Sequence, residues 1–128
     1  FGNIQYEPTA LWPDMGIMPY AAKQVIVSVE EIVDTEVLRL NPDRTVLPGF
    51  MVDAVVEVPY GAHPTSFYPD YGYDSDFHRQ WTSISRDNEK VKEFISRYVH
   101  SPANQQEYLE AIGGESVLNY IAKWEQAE

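Results

Sequence analysis

The pattern of apolar and polar positions changes character near the middle of the chain. Up to about Pro59, apolar residues fall in short β-branched runs broken by turns; beyond residue 74 they recur at three- and four-residue spacing. Residues 24–29 form the clearest strand, an almost continuously apolar run of the kind buried on both faces of an α/β sheet. Residues 51–58 read as a second good strand ending at Pro59, 45–47 as a short one, and residues 2–6 as strand-like. Residues 18–23 suit a helical turn with Pro near its start. Asp34 or Thr35 can cap a short helix through residues 36–39. The sequence Asn41, Pro42, Asp43, Arg44 is a turn, and so is Pro48 with Gly49.

The second half reads as four helices. The first covers residues 76–81, with Asp74 or Ser75 at its cap. Asp87 can cap a second through about Val99, where Val91, Phe94, Ile95, Tyr98 and Val99 form an apolar stripe. A third runs from Asn104 or Gln105 to Ile112, with Tyr108, Leu109 and Ile112 on one face, and stops at Gly113 and Gly114. The last carries Val117, Leu118, Ile121 and Trp124. The expected class is α/β: a partial open sheet of mainly parallel strands in the first half, and helices in the C-terminal half. One domain over residues 1–128 divides into a sheet portion (1–59), a loop (60–74) and a helical portion (75–128).

The loop is the unusual segment. PYGAHPTSFYPDYGYD, residues 59–74, holds three prolines, two glycines and five aromatics. It is too long and too aromatic for a simple connector, and long loops with packed side chains often carry function.

Composition narrows the classes. Hydrophobic residues make up 44% of 128, enough for a packed core. Twenty acidic against nine basic residues leave a net charge of -11, which repels nucleic-acid backbones and anionic membranes. No cysteine is present, which excludes disulfides, thiolate catalysis and Cys-ligated zinc and agrees with a cytoplasmic home. No apolar run approaches membrane-spanning length. The chain opens on Phe1, not methionine, which reads as a cut or processing site.

Candidate chemistry is sparse. His63, His78 and His100 fit no metal motif. His78 and His100 read as solvated. For His63, between Ala62 and Pro64, a structural role and a ligand contact stand level. Glu30 and Glu31 lie at the end of a strand, where α/β sheets gather ligands, but adjacent strand residues face opposite ways and form no dyad. An ion-pairing or capping role is the expectation for them, and likewise for Glu57. Neither a GxSxG elbow nor a glycine-rich phosphate loop occurs.

Several segments, in order, resemble one family. AAKQVIVSVEEIVDTEVLR, NPDRTVLPGFMVDAVVEVPYGAHPTS and EYLEAIGG are similar to the A (alpha) subunit of class I CoA-transferases of the glutaconate type, and Gly2, Asn3 and Gln5 match its GN-x-Q element. The resemblance implies a C-terminal part of such a subunit, lacking an N-terminal half that holds a glycine-rich segment. It implies a B-subunit partner whose glutamate is the nucleophile, an acyl-CoA and a carboxylic acid as substrates, and no cofactor or metal. By this resemblance no catalytic residue lies in the chain, and Asn3, Gln5, Gly61, Ala62, His63, Thr65 and Ser66 line the acyl pocket or hold the interface between the subunits. Small residues admit a ligand or partner backbone; His63, Thr65 and Ser66 offer hydrogen bonds. The segment from Tyr6 to Tyr20 is richer in Pro and aromatics than the family pattern, which leaves room for a CoA-thioester hydrolase or ring-opening relative. A non-catalytic assembly module is the reading of a different class.

Overall fold

The computed structural model describes residues 2–6 and 13–123, with side chains from residue 16 onward in the second stretch. The chain divides into two units, Phe1–Gly61 and Ala62–Glu128.

In the first unit, Ile4–Gln5 (β1) pairs antiparallel with Thr45–Leu47 (β3), and Ile26–Val29 (β2) pairs parallel with Ala54–Glu57 (β4). The α/β class therefore holds. The strands form two separate pairs, only one of them parallel, rather than a single sheet. Helix α1 spans Pro13–Ala21 and α2 spans Thr35–Arg39, with Asp34 at the N-cap position of α2. The helical turn expected at residues 18–23 begins five residues earlier, and Pro19 falls inside it. Both expected turns are single 3-10 turns, Pro42–Arg44 and Gly49–Met51.

The β2–β4 register puts Ile26 opposite Ala54, and Ser28 opposite Val56. These four residues share a face that stays exposed, Ile26 at 70%. Val27, Val29 and Val55, on the other face, are half-buried. The run expected to be buried on both faces is thus covered on one, because within this unit the sheet has two strands and cover on a single side. Among the described residues of the unit, Ile4 and Leu47 are the buried apolar ones.

The second unit holds α3 (Ser75–Ile84), α4 (Asn88–Ile95), α5 (Gln105–Ile112) and α6 (Glu115–Ile121). Three have side-chain caps anticipated from sequence. Asp74 accepts from the Phe77 N–H, Asp87 from those of Glu89 and Lys90, and Asn104 from that of Glu107. Gly113 (φ 130°) ends α5, and a Cβ there would stand 2.6 Å from Val117 Cγ2.

One stripe departs from expectation. After Ile95 the helix widens into a π-turn over Ser96–His100, closed by the Ser101 N–H donating to the Ser96 carbonyl at 2.8 Å. The wider turn alters the rotation per residue, so Tyr98 stays buried while Val99 leaves the stripe at 64% exposure. Trp124, assigned to the last helical face, lies outside the described residues. The interior is an aromatic cluster. Phe77 packs edge-on against Phe94 and Tyr98, each at 5.0 Å between ring centres, and Trp81 meets Phe94 at 5.3 Å.

Candidate functional site

In the first unit, Asn3 and Gln5 flank the buried Ile4 on β1, so alternation puts their side chains on the face away from it. Asn3 Oδ1 accepts from the Gly49 N–H at 2.6 Å. Gln5 Nε2 lies 2.8 Å from the Leu38 carbonyl, 2.9 Å from that of Asn41 and 3.0 Å from Thr45 Oγ1. Two amide protons share these three acceptors. Both side chains therefore staple β1 to the turns around β3.

Asn3 and Gln5 also line one cleft of ≈ 200 Å³, with Gly2, Val29, Glu31 and Leu38 among its other walls. This is the C-terminal end of β2, where α/β sheets gather ligands. Glu30 points elsewhere: its Oε2 accepts from the Tyr60 N–H at 2.6 Å, the capping role expected for it. Glu31 and Glu57 are exposed. Gly61 closes the unit, and a Cβ there would lie 2.8 Å from the Val58 carbonyl oxygen, so any side chain would displace backbone.

Ala62, His63, Thr65 and Ser66 belong to the second unit. His63 is its buried centre, with a fully covered side chain. Nε2 lies 3.2 Å from Asp74 Oδ2, and Nδ1 lies 2.6 Å from the Tyr108 hydroxyl. A carboxylate only accepts, so Nε2 carries the proton and donates to Asp74. In the neutral ring Nδ1 is then an acceptor, and Tyr108 O–H donates to it. Burial drives both groups toward neutrality. It holds the His63 pKa below the ordinary 6.5, against the opposing pull of Asp74. Burial first, and then the Asp74 charge, push the Tyr108 phenol up to about 12. The His63 ring also packs edge-on against Phe77, 5.1 Å between centres.

Around His63 the loop backbone is tied at several points. Ala62 N–H donates to the Tyr71 hydroxyl at 3.0 Å. The Pro64 carbonyl accepts from the Asp74 N–H at 3.0 Å and from His78 Nε2 at 3.1 Å. The Thr65 N–H closes a turn on the Ala62 carbonyl at 2.8 Å, and the Thr65 hydroxyl donates to the same oxygen. Phe67 and Tyr71 exchange two backbone hydrogen bonds of 2.9 Å, and their rings stack at 6.0 Å. Thr65 and Ser66 remain exposed, and the Ser66 hydroxyl bonds to no group among the described residues.

At His63, both ring nitrogens are engaged inside the unit, by Tyr108 and by Asp74. His78 is exposed, as expected, but it touches the loop. Tyr71, Asp74 and Tyr108 join the site without a sequence signal that marks them for it. Asp74 is legible only as a cap and Tyr108 only as part of a helix face, and no local spacing links Tyr108 to a histidine 45 positions earlier.

The neutral, buried His63 makes a pH prediction. Its folded pKa lies below the unfolded one, so the unfolded chain takes the proton first on acidification, and stability falls as pH drops below about 6.5. The Asp87 carboxylate, held low chiefly by its bond from the Lys90 N–H, loses its contribution only below the ordinary 3.8, a separate window. Thermal midpoints of the wild type should fall between about pH 7.5 and about pH 5, and those of His63→Gln should fall less. Parallel curves would refute the assignment.

The comparisons with known proteins agree on the family. Residues 1–58 match the Coenzyme A transferase family model. The chain is 38% identical over 99 residues to the A subunit of glutaconate CoA-transferase from Acidaminococcus fermentans, covering 77% of this chain and 31% of that protein. The solved structure of glutaconate coenzyme A-transferase from the same organism superposes on 93% of this chain at TM-score 0.85, with 32% identity. This chain belongs to the coenzyme A transferase family. It resembles the A subunit of the glutaconate type, and spans 37% of the solved chain. A third relative, 38% identical over 93 residues, is the IpdA subunit of a cholesterol ring-cleaving hydrolase from Mycobacterium tuberculosis, of which the match covers 32%. Among the described residues no group of three or more His, Asp or Glu side chains gathers as a metal site, and no helix is long and apolar enough to cross a membrane.

Proposed function

We propose that this chain is part of the A subunit of an acyl-CoA:carboxylate CoA-transferase. In this reading a B subunit carries the nucleophilic glutamate, and residues 61–66 shape the acyl and CoA site at the interface with it. The observation that carries the reading is the agreement, over 93% of the chain, with a solved glutaconate CoA-transferase. The chemistry is covalent catalysis by a carboxylate. The glutamate of the B subunit attacks the thioester carbonyl and CoA leaves, giving an acyl-glutamyl anhydride. CoA then attacks the glutamyl carbonyl, the donor acid departs, and a glutamyl-CoA thioester remains for the acceptor acid. None of Glu30, Glu31 and Glu57 is assigned to that role, and Glu30 is already committed to the Tyr60 N–H.

The loop supports this reading. Gly61 has no space for a side chain, and Thr65 and Ser66 expose hydroxyls on a backbone tied down at Ala62, His63 and Pro64. Rigid, small and hydroxyl-bearing is what a carbonyl or carboxylate oxygen needs for orientation without steric conflict. Asn3 and Gln5 serve by fixing β1 beside the cleft at the end of β2.

The hydrolase relative supports a second reading, in which water replaces the acceptor acid. One experiment separates the two. The full-length A subunit, co-expressed with its B subunit, is given an acyl-CoA donor and a panel of free dicarboxylates. Transfer predicts CoA appearing on an added acid. Hydrolysis predicts free CoA irrespective of acid. Neither product from any donor would exclude both and leave an assembly role.

A further inference from the structure

The buried His63 arrangement depends on two residues, Asp74 and Tyr108, that the family resemblance does not single out. His63 has both nitrogens engaged inside the unit, yet it sits in the middle of the loop that the proposed function assigns to the acyl site. Its two partners come from different elements. Asp74 is the N-cap of α3, fixed by the Phe77 N–H at 2.9 Å. Tyr108 lies on α5, 45 positions along the chain. Asp74 grips the loop twice, through His63 Nε2 at its side chain and through the Pro64 carbonyl at its backbone. A ring held at both nitrogens and packed against Phe77 has one orientation, and the backbone that carries it has little freedom left.

We propose that Tyr108 and Asp74 are positioning residues: acting through His63, they hold the backbone of residues 62–66 so that the Ser66 hydroxyl meets the acyl thioester or carboxylate oxygen of the substrate. The inference rests on the reading that this loop shapes the acyl site. Thr65 spends its proton on the Ala62 carbonyl, which makes the Ser66 hydroxyl the uncommitted side-chain donor of residues 62–66. Its direction is therefore set by the backbone that the His63 pair secures.

The test uses the complex of the full-length A and B subunits, and the variants Tyr108→Phe and Asp74→Asn. Tyr108→Phe removes only the donor to Nδ1. Asp74→Asn keeps a capping oxygen but takes away the acceptor-only partner of Nε2. Each should lower kcat/KM for the acyl-CoA about tenfold, the worth of one lost buried hydrogen bond. Assembly should be intact, and hydrogen exchange at the amides of residues 62–66 should quicken while α4 amides stay unchanged. Wild-type kcat/KM in both variants overturns the proposal. So does unchanged loop exchange. If the wild-type complex performs no CoA chemistry, the proposed function falls, and loop exchange alone then decides whether the two residues position the loop. Should neither variant fold, the imidazole 15N shifts of wild-type His63 decide: a neutral ring protonated at Nε2 upholds the arrangement, and the opposite tautomer or a doubly protonated ring overturns it.

Discussion

His63→Ala should destabilise the second unit by about 3 kcal/mol. Two costs add. Removing the ring opens a hole beside Phe77 and Tyr108, whose rings lie 5.1 and 5.7 Å from it. It also strands two polar atoms, Oδ2 of the Asp74 side chain, which is 5% exposed, and the Tyr108 hydroxyl oxygen. Each stranded group costs about 1–3 kcal/mol, reduced where water enters the hole. His63→Gln, which offers one donor and one acceptor, should recover part of the loss. Denaturant midpoints of the three proteins check this ordering. A loss under about 1 kcal/mol for His63→Ala would contradict the geometry. Under the proposed function, the same substitution should lower turnover of the complex with the B subunit without dissociating it. Unchanged kinetics would mean that the loop has a purely structural part.

The second large effect is expected at Tyr71. It is 1% exposed, stacks on Phe67, and its hydroxyl accepts from the Ala62 N–H. Tyr71→Phe leaves the ring in place and orphans one N–H, which should cost about 1 kcal/mol. Tyr71→Ala removes the ring as well and should cost about 3–5 kcal/mol, in line with large-to-small changes in a packed interior. The gap between the two measures packing apart from the hydrogen bond. Equal losses in both variants would mean that the phenol contributes through its hydroxyl alone, contrary to the burial.

These two residues also mark how far sequence reasoning reaches. Local rules locate most elements. The caps at Asp74, Asp87 and Asn104 and the stop at Gly113 stand where their chemistry predicts, because capping depends on neighbours within three or four positions. The segments around GAHPTS also carry the family, and the match to solved and curated relatives agrees. What lies beyond sequence is non-local. Parallel pairing of β2 with β4, and antiparallel pairing of β1 with β3, depend on contacts across tens of residues, which periodicity does not encode. The π-turn at Ser96–His100 shifts Val99 out of a stripe that a uniform 3.6-residue period would include.

For the site the division is sharper. By itself the sequence points to the aromatic loop of residues 59–74, its family resemblance narrows the expected functional edge to residues 61–66, and it leaves His63 balanced between packing and ligand contact. Only the tertiary structure brought Asp74 and Tyr108 to opposite sides of one imidazole, buried it, and left Thr65 and Ser66 on the surface. The physical reason is that a histidine's role is decided by the partners of its two nitrogens and by access of water, and both are properties of the folded chain.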